Sequence, residues 1–148
     1  MTTLLLRALE RIHGHLGWLT VAALLHPAIL LRNPVRRAPW AVGLATAVAC
    51  VTGALGATIY PHYRSLLKQR LFIEHPAIGW CFERKEHLAV GAIGFALVGC
   101  LAHFAAPQFE PSLRPRVARL AHRSFVAAFA FGVLVGVLGV LVATYRSF

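Results

Sequence analysis

Charge, and acid in particular, is what this chain has least of. Only 14% of its 148 residues are charged, and five acids, Glu10, Glu74, Glu83, Glu86 and Glu110, stand against 15 Lys and Arg for a formal charge of +10. A soluble domain carries about 25% charged residues, so this shortage excludes an ordinary soluble domain and turns most of the chain towards lipid or other apolar helices. None of the five acids falls at the centre of an apolar run, which argues against a proton pump or an ion-coupled transporter. Cysteine is scarce too: Cys50, Cys81 and Cys100 form no C-x-x-C pair. That excludes covalent c-type haem attachment and a thiol redox pair, and leaves Cys50 and Cys100 as small buried apolar residues. G-x-S-x-G, H-E-x-x-H and phosphate-cradling loops are absent, as are internal repeats and a separate soluble domain. The basic excess has no aromatic interleaving, so no nucleic-acid partner is expected. Its arginines cluster between apolar runs, where anionic lipid headgroups would meet them.

What is present is apolar length. Hydrophobic residues make up 58% of the chain, and four runs are expected to be long enough to span a bilayer, which takes roughly 20 residues. They are residues 16–31, 39–60, 88–106 and 125–145. The first is the shortest. Only Arg7 and Arg11 precede it and no small-x-small site follows before Arg32, so it is expected to stay as a helix rather than be removed as a signal peptide. The expected fold is therefore all-α, an integral membrane four-helix up-down bundle with residues 1–148 as a single membrane domain. Arg32 to Ala38 is a tight polar turn that makes the first two helices antiparallel neighbours. Between spans two and three, Tyr63, Leu66, Leu67 and Leu71 fall at helical spacing with Arg64, Lys68 and Arg70 on other sides. This predicts a short amphipathic interfacial helix, ended by His75-Pro76 and followed by Trp80 and Phe82. Glycines lie at packing positions in the later spans: Gly53 and Gly56, Gly91 and Gly94, and the Gly132-x-x-x-Gly136 pair.

Orientation rests on basic residues. Arg7, Arg11, Arg64, Lys68, Arg70, Arg84, Lys85 and Arg146 fall on the side of the termini, and Arg32, Arg36, Arg37, Arg114, Arg116, Arg119 and Arg123 on the other. The second set sits in shorter loops, which places both termini outside the cytoplasm of a bacterial inner membrane.

The chemistry must then come from eight histidines. His15 and His26 are eleven residues apart, about 20° more than three whole helical turns and about 16 Å along the axis, so they share one face at two depths. In an up-down bundle His13, His15, His62, His75 and His87 belong to the end that holds the termini, and His26, His103 and His122 to the other. Neutral imidazole is a haem axial ligand, and each level holds enough of them for one bis-histidine haem. The expected cofactor-binding and metal-ligating residues are His15 with His87 at one level and His26 with His103 at the other. His87 stands over Gly91 and Gly94, and His103 over Gly99 and Ala96, small residues that suit either a porphyrin face or helix packing. His87 and His103 do not share a face, so His62 and His122 stand in reserve.

The four spans and the two histidine levels resemble small di-haem cytochrome b subunits, four-helix membrane anchors that join a redox enzyme to quinone or another carrier. The histidine spacings depart from those of the large respiratory cytochromes b, being shorter in the first helix and longer in the third. The resemblance implies two haems b, electron transfer across or along the membrane, and other subunits of a redox complex as partners. The chain itself has no room for a catalytic domain, and residues 61–87 are the expected docking surface. The alternative is a non-redox membrane anchor or structural subunit of a larger complex.

Overall fold

A computed structural model describes residues 3–145, and among these every regular element is helical. The order is α1 (Thr3–Leu30), α2 (Pro39–Tyr63), a π-helical stretch (Arg64–Lys68), α3 (Gln69–Glu74), α4 (Pro76–Ala105), a 3₁₀ turn (Ala106–Gln108) and α5 (Arg114–Thr144). Arg146 lies outside the described residues. Three helical stretches are long and apolar enough to cross a membrane: Pro39–Glu74, Pro76–Gln108 and Arg114–Thr144. Helix α1, at 28 residues, is long enough but is not among them. Its apolar run is short, with Arg7, Arg11, His13 and His15 ahead of it and His26 inside it.

Proline sets the helix starts. Pro39 and Pro76 occupy the first turns of α2 and α4 and Pro115 that of α5, where a missing amide donor costs nothing. His75, held extended at φ −141° and ψ 73° by the following Pro76, makes the sharp break between α3 and α4. Pro61 acts differently. It lies inside α2, and the ladder continues past it into the π-helical stretch and α3, so residues 39–74 form one unbroken rod of 36 residues. The segment expected as a separate amphipathic element is thus helical, but joined to α2. Helix α4 also starts three turns before the apolar run at Leu88, so that Trp80, Phe82 and the Glu83–His87 charged run are helical.

The main seams join α1 to α2 and α5, and α4 to α2 and α5, which puts α1 and α4 on opposite corners. Contacts along each seam run in opposite chain directions. Thr20 Oγ1 meets Thr52 Oγ1 at 2.8 Å, and His13 packs on Gly56 further along α2. Gly99 is covered by Phe125 and Gly91 by Phe131; Gly136 lies under Trp18 and Gly132 under Val21 and Leu24. A methyl at Gly99 would come within 2.9 Å of the Phe125 ring, so only glycine admits this ring between α4 and α5. The main core joins Leu24, Val42, Ala45, Ala49, Ala96, Phe125 and Ala128. A second cluster of Leu67, Leu71, Ile78, Phe82 and Val142 closes the end where α3 turns into α4.

Candidate functional site

The expected ligands take two kinds of position. His15, His26 and His87 are exposed, while His103 is half-buried. On α1 the inward stripe is His13, Leu16, Thr20 and Leu24; Thr20 is bonded to Thr52 of α2, and Leu24 is fully buried. His15 and His26 lie opposite that stripe, at the centre of the outward face, with Leu19 (54% exposed) and Ala22 between them. His87 faces outward from α4, the opposite corner. The structure therefore does not bring His15 and His87 together, nor His26 and the half-buried His103. Among the described residues no three His, Cys, Asp or Glu side chains are grouped to hold a metal ion.

His87 is prepared in one respect. Its Nδ1 lies 2.8 Å from the carbonyl oxygen of Glu83, an arrangement that selects the Nδ1–H tautomer and leaves Nε2 with a free lone pair. Two turns on, Gly94 has open space where a side chain would stand, whereas Gly91 is covered by Phe131. The small residues near His103 are used for packing: Phe125 covers Gly99, and Ala96 is fully buried. His103 itself stacks edge-on against Phe104 in a cleft of about 580 Å³ that Arg36, Arg37 and Arg114 also line. The reserve residue His62 borders a small recess with Leu6, Glu10 and Tyr63. Nδ1 of His13, His62 and His122 is enclosed without a hydrogen-bond partner.

Within residues 61–87, the segment expected as a docking surface, the charged run at 83–87 builds a polar layer between the α2 rod and α4 beyond the apolar runs. Lys68 Nζ lies 2.6 Å from Glu83 Oε2. This contact raises the lysine pKa and lowers that of the carboxyl. Glu86 is half-buried, which pushes its carboxyl pKa up against the opposing pull of Lys85, Lys68 and a hydrogen bond with Tyr60. The Lys85 ammonium sits 5.0 Å above the Phe82 ring while its stem lies against Gly139 of α5. In sequence the run is four adjacent charges, Glu83, Arg84, Lys85 and Glu86. Their partners Lys68 and Tyr60 lie one helix away, so spacing within the run carries no signal of the pairing.

Fold and site together define a helical membrane protein with imidazoles on its outer surface and a paired polar layer at one end. No family model, curated protein or solved structure matches the chain.

Proposed function

We propose that this protein is a di-haem b-type membrane subunit that carries electrons across or along the membrane between a redox partner and quinone or another carrier. The supporting observation is the placement of His15 and His26 on one exposed face of α1, about 16 Å apart along the axis. An imidazole facing hydrocarbon is costly without a partner, and a bound metal is one that uses its lone pair. The donor set fits haem in its chemistry, since these rings have a nitrogen open to the outside. It does not fit enclosure within one chain, because Phe125, Phe131, Trp18 and Ile93 already fill the glycine-lined seams of the interior. In this reading His15 and His26 would hold the haems from the outward face of α1, and His87 is a further outward imidazole with its tautomer set by Glu83. Bound haem supplies one-electron chemistry, and the chain's part is to set ligand orientation and exclude water.

The same reading makes the four long helices an up-down bundle, places the Arg64–Glu74 end of the α2 rod at the membrane surface, and assigns the chain to a bacterial inner membrane with other subunits of a redox complex. The test is an absorption spectrum of the purified protein with haem counted against protein. A Soret band that shifts on reduction is expected, with His15→Ala and His26→Ala each losing one of two levels and leaving the other. A wild-type chain that binds no haem removes the proposal; full retention in both variants removes α1 from the ligation.

A further inference from the structure

We infer that the arginine-lined cleft beside His103 binds the phosphate headgroup of an anionic phospholipid. The inference does not use the haem reading. Its first support is place. The spans Pro39–Glu74, Pro76–Gln108 and Arg114–Thr144 each have one end here, since Pro39, Pro107 and Arg114 all line the cleft. A bilayer that surrounds those spans sets its headgroup layer at this level. The volume of about 580 Å³ also falls within the range of about 300–1,000 Å³ usual for small-molecule sites.

The second support is charge. Arg36 and Arg37 enter from the loop between α1 and α2, and Arg114 from the start of α5. No Asp or Glu is among the described residues that line the cleft, and Glu110, the one acid in the two loops at this end, is not among them. The ion pairs of Lys68 with Glu83 and of Arg70 with Glu74 lie at the far end of the α2 rod and do not neutralise it. Guanidiniums with no carboxylate beside them favour an oxyanion, and their planar forks fit phosphate oxygens two at a time. Arg114 Nε donates to the carbonyl oxygen of Phe109 at 2.8 Å, which fixes the side chain and leaves its two terminal nitrogens as donors. The half-buried His103 ring adds one N–H. Helices α2 and α5 both begin here with no acid in the first turn and no side-chain cap, so their dipoles add to the positive potential.

The third support separates a lipid from a free anion. Leu31, Val35, Phe104 and Pro111 give the cleft apolar walls. From Phe104 an exposed stripe continues along α4 through Leu101, Leu97 and Gly94, and Gly94 has open space where a side chain would stand. Steps of three and four residues keep the stripe on one face of the helix. The ten residues from Gly94 to Phe104 rise about 15 Å, half of a hydrocarbon core of about 30 Å. An acyl chain hung from a headgroup in the cleft therefore lies against this stripe for the depth of one leaflet. A free phosphate would meet the arginines and leave the stripe unused.

The experiment uses the full chain in detergent and counts bound lipid by native mass spectrometry. Phosphatidylglycerol is the probe, and zwitterionic phosphatidylcholine with the same acyl chains is its counterpart. Preferential binding of phosphatidylglycerol is expected. Arg36→Gln/Arg37→Gln removes two charges from the cleft and leaves Arg114 to hold the Phe109 carbonyl; its affinity is expected to fall about tenfold or more, as lost charge-assisted hydrogen bonds require. Arg116→Gln/Arg119→Gln removes the same charge from α5 outside the cleft, and a change of less than about twofold is expected, as for exposed charges without a fixed partner. Equal losses in the two variants would mean diffuse attraction to a basic end and would overturn the site, as would equal binding of the two lipids. Inorganic phosphate at the lipid's concentration is expected not to displace it; displacement overturns the lipid as the occupant in favour of a free anion. Should the cleft variant fail to fold, Arg36→Gln and Arg37→Gln are measured singly, and no loss in either overturns the site.

Discussion

At the scale of single residues, Glu86 is a carboxyl whose surroundings oppose its charge. Burial raises its pKa, so the folded state holds the proton more tightly than the unfolded chain, and ionisation at neutral pH costs stability. Glu86→Gln should therefore melt at a higher temperature than the parent near neutral pH, with the advantage vanishing as pH falls below the ordinary carboxylate range. A lower melting temperature at neutral pH would mean that Lys85, Lys68 and Tyr60 outweigh the burial. The neighbouring pair carries the opposite sign. Glu83 is held below its usual pKa by Lys68, so its contribution is present above the unfolded carboxylate pKa and lost as pH falls through the depressed folded value. Lys68 is held above its usual pKa, and its contribution is lost as pH rises through that raised value. The melting difference between parent and Lys68→Met should thus be flat from mildly acidic to mildly basic pH and shrink at both ends. Both side chains are partly exposed at the helix surface, so the effect is small and screened by salt.

At the scale of helices, the rod from Pro39 to Glu74 is the element whose length decides something. Thirty-six residues extend about 54 Å against a hydrocarbon core of about 30 Å, so if the rod crosses a bilayer more than a third of it projects. Its inner part, with Ala45 and Ala49, packs in the main core, which leaves the Arg64–Glu74 end to project. With the three native cysteines replaced, a cysteine at Arg70 should react with a membrane-impermeant maleimide and one at Leu44 should not. Equal protection of both would contradict the projection. Three spans were legible in the sequence because apolar length is a one-dimensional signal; α1 was legible as a helix but falls short of the apolarity expected of it. The helix ends were not: the Glu83–His87 run looks solvated until Lys68 and Tyr60 are brought beside it by the turn at His75-Pro76. The shared face of His15 and His26 was legible for the same periodic reason. Its outward direction was not, because both sides of α1 are apolar and amphipathicity cannot tell lipid from core when the solvent itself is apolar. The inward stripe is marked instead by Thr20 meeting Thr52 and by His13 on Gly56, contacts that exist only between helices.

At the scale of the whole molecule, the seams fix which ends lie together. Tyr145 stacks on His75, Val142 joins the cluster of Leu67, Leu71 and Phe82, and the start of α1 lies by His62 through Leu6 and Glu10. At the other end Arg37, Pro39, Phe104 and Arg114 border one cleft. If the bundle crosses a bilayer, residues near both chain ends therefore share one side and the loops at 31–38 and 109–113 share the other. The short arginine-rich loops favour the cytoplasm for the second set. In a chain without native cysteines, single cysteines at Val35, 85% exposed, and at Arg70 should label from opposite sides of intact cells, Arg70 from outside and Val35 only after permeabilisation. Labelling of both from the same side would break the bundle topology. Labelling of Val35 from outside and Arg70 only after permeabilisation would keep the bundle but invert it, placing the α2 rod's projecting end and the Lys68–Glu83 layer in the cytoplasm, where a soluble redox partner would have to dock.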